Sequence, residues 1–337
     1  MNIYKLNEVL ADQPAFRVKQ AWQAIFVDLI SDWNENTTFP LALREKLNKE
    51  CPLDIRAEVF TSKGSDTAKA LMILEDGKKV ETVLMQHRDG RATVCVSCQV
   101  GCALGCTFCA TGKMGLIRNL KADEIVGQVL FWQRYLDKNT KEHLRITNVV
   151  YMGMGEPFLN YDNVMDSIRT INDSNGLNIG ARHISISTCG IIDGIKKLTK
   201  EKLQVNLAIS LHAPTDKLRS ELMPINNRYH LEDLLDVVDD YIEKRSRRVM
   251  FEYLMIEGIN DKEYHARELI KIMDKPLYVV NLIKYNATGV YKASSKATID
   301  KFKNILMKEG INVTQRYTFG GDIKAACGQL ATKKKNS

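Results

Sequence analysis

Five of the eight cysteines crowd into CVSCQVGCALGCTFC, between Cys95 and Cys109, while Cys51, Cys189 and Cys327 stand alone. An even disulfide scaffold is excluded by that spacing, and in a reducing compartment such crowding indicates metal or thiol chemistry. Within the run, Cys102, Cys106 and Cys109 form a C-x3-C-x2-C array with an aromatic residue before the last cysteine. Three thiolates on one tight, glycine-bearing loop suit three irons of a four-iron cubane. The fourth iron is then free to chelate the amino and carboxylate groups of S-adenosylmethionine, the geometry for one-electron cleavage of a sulfonium. Such a cluster belongs at the low end of the roughly −700 to +450 mV range of iron–sulfur centres. The competing reading is a structural zinc site drawn from Cys95, Cys98, Cys102 and Cys106, which needs four converging ligands.

The elements that must position this loop follow from periodicity. After residue 90, strand-like runs alternate with amphipathic helical stripes: ATVCVS, NVVYMGMG, HISIST, VNLAISLH, VMFEYLM and VVNLIKYN. Ile125, Val129, Trp132 and Leu136 make one stripe, Leu231, Leu234, Leu235, Val238 and Ile242 another, and Ile299, Phe302, Ile305 and Leu306 a third. Six strand-then-helix units predict an α/β fold of parallel strands with right-handed crossovers, either a doubly wound sheet or a partial barrel. In both, ligands gather beyond the carboxyl ends of the strands. The cysteine array follows the first such strand. Gly155 and Glu156 in GMGEP follow the second, Ser187 in SISTCG the third, Ser210 and His212 in SLHAP the fourth, and Asn286 the sixth.

Ahead of this core, residues 1–50 read as a small helical accessory domain, with Val18, Trp22, Ile25 and Phe26 at helical spacing. Residues 51–87 read as a strand-rich linker with turns at Lys63-Gly64 and Asp76-Gly77. The barrel is expected over 88–321, and 322–337 as a terminal segment that carries Cys327 and ends in a basic tail. Of 337 residues, 48 are Lys or Arg and 41 Asp or Glu, a surplus of +7; with 26% charged and 45% apolar residues the chain is an ordinary globule. No apolar stretch is long enough to span a membrane and the first residues lack the build of a secretory signal, so the expected compartment is the cytoplasm.

The C-x3-C-x2-C array in this context resembles the radical S-adenosylmethionine superfamily, whose fold is a partial (βα)6 TIM-like barrel with the cluster on the loop after the first strand. Taken together, ETVLM, RATVCVSCQVGCALGCTFCATG, GMGEPFLN, SISTCGI, ISLHAP, LMPIN, FEYLMIEGIND and AACGQL, spread over residues 81–330, are similar to the bacterial RlmN family. Those enzymes methylate carbon 2 of adenosine in 23S rRNA and in some tRNAs. The resemblance implies one 4Fe-4S cluster on Cys102, Cys106 and Cys109, and two molecules of S-adenosylmethionine per turnover. It also implies cofactor contacts from Gly155, Glu156, Ser187, Ser210, Leu211, His212 and Asn286. The implied partners are 23S rRNA and tRNA, with an electron donor of the flavodoxin or ferredoxin kind; the protein is expected to be a monomer with no membrane association.

The chemistry explains why extra thiols are needed. Carbon 2 of adenine has no nucleophilic lone pair, so direct transfer of a sulfonium methyl is blocked. A thiolate accepts the methyl first, and hydrogen abstraction turns the S-methyl group into a carbon radical that adds to the ring. By resemblance the carrier is Cys327, the proton acceptor Glu81 and the releasing thiol Cys95, which leaves a disulfide. A free thiol is only a few per cent ionised at neutral pH, so a cation is expected nearby. Cys51 and Cys189 are read as buried structural residues, and Cys98 receives no role. Unstacking an adenosine within folded RNA costs a few kcal/mol, which phosphate contacts must offset; Lys196, Lys197, Lys200, Arg245, Arg247, Arg248 and Lys333 to Lys335 are the basic runs available. The nearest alternative is the carbon 8 methyltransferase of the same branch, against which Pro157 after GMGE argues; Ala287 after Asn286 departs from most members without favouring it. An alternative of another class is a non-catalytic zinc-binding RNA module.

Overall fold

The computed structural model describes residues 3–64, 66–140, 144–316 and 319–331; Lys333 to Lys335 of the basic tail lie outside them. The N-terminal region is helical as its periodicity predicts: α1 (Leu6–Val9), α2 (Phe16–Phe26) and α3 (Leu41–Glu50). Helix α2 buries Ala21, Ala24, Ile25 and Phe26, and these pack with the fully buried Trp33, Phe39 and Leu47. The Trp33 indole donates to the Cys51 carbonyl at 2.8 Å, so the bulkiest apolar group here closes the domain without an orphaned donor.

Strands β1 (Arg56–Thr61), β2 (Thr67–Ile73) and β3 (Lys79–Gln86) form an antiparallel meander, and β3 pairs antiparallel with β4 (Ala92–Cys95). The turn between β2 and β3 is at Asp76-Gly77, where Gly77 takes a φ of +75°. A separate two-stranded hairpin, β5 (Gln99–Cys102) and β6 (Gly115–Asn119), holds the cysteine loop. The chain then alternates: α4 (Ala122–Asn139), β7 (Asn148–Tyr151), α5 (Tyr161–Asn172), β8 (Ile184–Thr188), α6 (Ile192–Lys200), β9 (Asn206–Ser210), α7 (Asp216–Leu222), α8 (Leu231–Arg245), β10 (Val249–Met255), α9 (Glu263–Met273), β11 (Tyr278–Lys284), α10 (Lys296–Lys308) and β12 (Val313–Arg316).

All of the strands except β5 and β6 make one ten-stranded sheet in the order β1-β2-β3-β4-β7-β8-β9-β10-β11-β12, parallel from β4 onward. Among the described residues the end strands β1 and β12 do not pair with one another, so the sheet is not closed, as expected of a partial barrel. Two findings differ from the sequence reading. A seventh parallel strand, β12, follows α10; its VTQR is too short and polar to stand out by periodicity. The stretch 51–87 is more than a linker, because its three strands continue the barrel sheet through β3 and β4. Among the described residues no helix is long and apolar enough to cross a membrane.

Candidate active site

Parallel strands place their carboxyl ends on one rim, and here six of the seven, β7 to β12, each supply at least one residue to a single cavity, while β4 supplies Cys95 to the cavity beside it. Tyr151 comes from β7, Ser187 from β8, Ser210 from β9, Glu252 from β10, Ile283 from β11 and Arg316 from β12. The cavity encloses about 1020 Å³ of unfilled space, open solvent at its mouth included. Cys102, Cys106 and Cys109 form one wall. Their loop is fixed from both sides: Thr107 N donates to Leu222 O at 3.0 Å and Ala110 N to Gly328 O at 2.8 Å. Phe108 packs edge-on against the His212 ring, with centroids 4.9 Å apart.

These three thiols fit a cubane cluster. They are free and partly exposed and line one cavity together. Among the described residues no three His, Cys, Asp or Glu side chains converge as a single metal ion requires, which counts against the zinc site assembled from Cys95, Cys98, Cys102 and Cys106. Cys98 is buried, its sulfur 3.7 Å from Met154 O, and burial pushes its thiol up.

GMGEP is locked against the loop after β4. A Cβ at Gly153 would stand 2.6 Å from Val96 O, and one at Gly155, whose φ is +101°, 2.5 Å from Gln99 Cβ. Close backbone packing therefore accounts for these glycines, beyond any approach to a ligand. Glu156 lines the cavity but accepts from Phe158 N at 3.1 Å and from Cys189 N and Sγ at 2.9 Å each. A carboxylate has about four acceptor positions, so little beyond one remains for a ligand. Burial raises its proton affinity.

Ser187, Ser210 and His212 all line the cavity. His212 takes a left-handed φ of 59°, and its Nδ1 accepts from Leu254 N at 3.2 Å. Burial, reinforced by Arg219, pushes its pKa down to about 3; the ring is a neutral donor through Nε2. Leu211 is not brought into the lining: its side chain is in the core, its amide donates to Glu252 O and its carbonyl accepts from Ala213 N. Asn286 sits on a neighbouring cavity, where its Nδ2 donates to the Cys327 carbonyl at 3.2 Å.

Cys327 lines both cavities. On one side of it stand the three cluster cysteines; on the other, in the smaller cavity, stands Cys95. Burial, with the neighbouring Cys327, pushes the Cys95 thiol up to about 12. Glu81 lines neither cavity. It is 6% exposed, so it is no solvated strand residue: Oε1 pairs with Lys69 Nζ at 3.0 Å and Oε2 accepts from Ala331 N at 2.8 Å.

Three groups escaped the sequence reading. Arg316 lines both cavities and faces Cys327, Glu252 and Cys95, a cation beside both thiols. Its guanidinium donates to Met152 Sδ at 3.1 Å, and no carboxylate pairs with it among the described residues. Glu252 is buried, raised in pKa by that burial, and bonded by Asn281 Nδ2 at 2.8 Å; a lone Glu inside the apolar run VMFEYLM was its signal. Lys69 is the third. The basic runs fare less well. Arg245 donates to the Glu201 and Leu203 carbonyls and Arg247 to Asn206 Oδ1. With Lys200 and Arg248 they sit where β9 and β10 begin, the rim opposite the cavity. On α6, Lys197 lines a separate groove beside Ala103 and Leu104.

Comparison with known proteins agrees with this geometry. The radical SAM superfamily model matches residues 96–270. The dual-specificity RNA methyltransferase RlmN of Dictyoglomus thermophilum is 49% identical over 94% of this chain and 91% of its own length. That of Enterococcus faecalis is 43% identical over 95% and 90%. The crystal structure of a radical SAM methyltransferase from Sphaerobacter thermophilus superposes with a TM-score of 0.93 at 42% identity, covering 98% of this chain and 97% of that one.

Proposed function

The chain belongs to the RlmN family of radical S-adenosylmethionine RNA methyltransferases, and from that premise we propose that it methylates carbon 2 of adenosine in 23S rRNA and in tRNA through a methyl carried on Cys327. Family membership brings with it one 4Fe-4S cluster and S-adenosylmethionine. Cys102, Cys106 and Cys109 would hold the cluster; Gly155, Glu156, Ser187, Ser210, His212 and the Leu211 and Asn286 segments would hold S-adenosylmethionine, two molecules being used per turnover. When bound, these groups supply the methyl, the hydrogen-abstracting radical and a sink for the one electron that adduct formation releases.

The protein's own residues do the rest. Cys327 Sγ carries the one-carbon unit and joins it to carbon 2, forming a thioether. Glu81 takes the carbon 2 proton. The Cys95 thiol then attacks Cys327 Sγ: a sulfur–sulfur bond forms, the carbon–sulfur bond breaks, and the thiol proton ends on the released methyl group. Burial keeps the Cys95 thiol protonated, so the proton the product needs is at hand, and it must leave the sulfur as the sulfur attacks, since the thiolate is the nucleophile. Arg316 offers charge to both sulfurs as they pass through thiolate character.

The observation that carries this reading is the place of Cys327, on the boundary between a cavity walled by the cluster cysteines and one walled by Cys95. Mass spectrometry of nucleosides from RNA treated with the reconstituted enzyme is the test. Appearance of 2-methyladenosine is expected; 8-methyladenosine alone would overturn the carbon 2 assignment.

A further inference from the structure

The terminal segment that carries Cys327 rests on the strands β2 and β3. Lys63 N donates to Asp322 Oδ2 at 2.9 Å, Lys69 Nζ to Lys324 O at 3.4 Å, and Ala331 N to Glu81 Oε2 at 2.8 Å. In the β2/β3 register Leu71 faces Glu81 and Lys69 faces Val83, so Lys69 and Glu81 are diagonal neighbours on one face of the hairpin. Their side chains are only 11% and 8% exposed. A carboxylate taken out of water in this way requires a counter-charge, and Lys69 is the one cation paired with it among the described residues.

From this geometry we infer that Lys69 is a positioning residue for the methyl transfer: it clamps Glu81 Oε1, so that Oε2, latched to the carrier segment through the Ala331 amide, is the oxygen that receives the carbon 2 proton. The inference rests on the reading of Glu81 as proton acceptor. Two features of the structure support the division of labour. First, Glu81 lines neither cavity while Leu330, one residue before its amide partner, lines both; the carrier segment thus stands between the carboxylate and the reacting ring. Second, the two carboxylate oxygens have partners of different kinds. Oε1 is held by a side chain of the sheet, which stays in place when the segment moves. Oε2 is held by the segment itself, and displacement of Leu330 and Ala331 once the adduct forms frees that lone pair. The carbon 2 proton then passes to Oε2 while the bonding electrons remain with the ring. Lys69's own link to the carrier segment is a single long contact to Lys324 O at 3.4 Å, and Glu81 takes no part in methyl acceptance by Cys327, so the first step is expected to be spared.

The test uses the full-length reconstituted enzyme with RNA and follows two quantities, methyl loading of Cys327 by intact mass and the RNA–protein crosslink by gel. Lys69→Met should load methyl at the parent rate but resolve the crosslink at least about tenfold more slowly, less than the roughly 10²–10⁴-fold that a general base contributes because Glu81 itself remains. Lys69→Arg should restore most of that rate. The Lys69→Met/Glu81→Gln double variant should be no slower than Glu81→Gln, since the two act as one unit. Methyl loading that falls in parallel with crosslink resolution would reduce Lys69 to a seat for the carrier segment and overturn the inference, as would parent-like resolution in Lys69→Met while Glu81→Gln stalls. If Glu81→Gln itself resolves its crosslink normally, the reading of Glu81 fails and the inference with it. Comparison of thermal unfolding separates these outcomes from a variant that does not fold, and Lys69→Gln provides a smaller, polar replacement should Lys69→Met melt early.

Discussion

Replacing Gly101 by alanine should release the iron site without touching a ligand. Gly101 has a φ of +79°, and a Cβ built there lies 1.9 Å from the Gly115 carbonyl oxygen across the β5/β6 hairpin. The left-handed backbone alone costs an L-residue about 1–2 kcal/mol. Bringing the carbon–oxygen contact out to about 3.3 Å, the near edge of weak C–H···O contacts, demands a strand separation of about 1.4 Å. Overpacking of this kind costs about 1–3 kcal/mol more, giving a total of about 2–5 kcal/mol. At about 2.1 cal/mol/K per residue, 337 residues give an unfolding entropy of about 0.7 kcal/mol/K, so the melting temperature should fall by about 3–7 °C. The larger effect is on function, because the residue paired with Gly115 is Cys102, and opening the hairpin moves that thiol off the cavity wall. Anaerobic reconstitution followed by iron and sulfide analysis and thermal unfolding is the assay. An unchanged melting temperature with full iron content would refute the steric argument, and full iron content in a clearly destabilised variant would refute the link from hairpin to cluster.

Cys327→Ala should abolish both methyl loading of the protein and methylation of RNA, whereas Cys95→Ala should load methyl normally and accumulate RNA crosslinked to protein; lack of a crosslink in the latter would count against Cys95 as the releasing thiol. His212 makes stability depend on pH. Its folded pKa of about 3 lies below the ordinary 6.5, so the unfolded chain binds the extra proton. The contribution is complete above about pH 6.5 and is lost at about 1.4 kcal/mol per pH unit as pH falls towards 3. His212→Asn should flatten the acid side of a denaturation-midpoint profile by about one proton, and an unchanged slope would mean that the ring is solvated. Glu156→Gln keeps an acceptor oxygen for one set of donors but sets an amide against the Cys189 amide or thiol, so it should cost about 1–3 kcal/mol by urea denaturation; a neutral effect would indicate that the carboxyl is already protonated.

Much of the site was legible because the informative residues are contiguous. Cys102, Cys106 and Cys109 lie on one loop whose spacing alone states the number of thiols and their reach, and GMGEP, SISTCG and SLHAP each mark the carboxyl end of a strand. Ser187, Ser210 and His212 could be named because alternation of strand and helix forces those ends onto one rim. Leu211 could not be separated from its neighbours, since side-chain direction on a left-handed turn is not a matter of period. The surface runs misled for a related reason: Arg245 and Arg247 look like solvated charge in the sequence, yet the Arg245 guanidinium satisfies carbonyls of the loop before β9 and that of Arg247 the Asn206 side chain at the start of β9.

What the one-dimensional pattern determined by itself was local chemistry and element order: three thiols with room for a fourth iron position, and strands and helices in the succession that builds a parallel sheet. Tertiary structure alone decided which distant groups meet. Arg316 reaches the two thiols because β12 pairs with β11, a strand too short to announce itself. Ala331 caps Glu81 across 250 positions of sequence, and Cys327 divides two cavities because its segment folds back across the open side of the barrel. Period and spacing carry information over one turn or one strand, whereas long-range meetings depend on sheet register and on how the terminal segment packs, and neither leaves a repeat in the sequence.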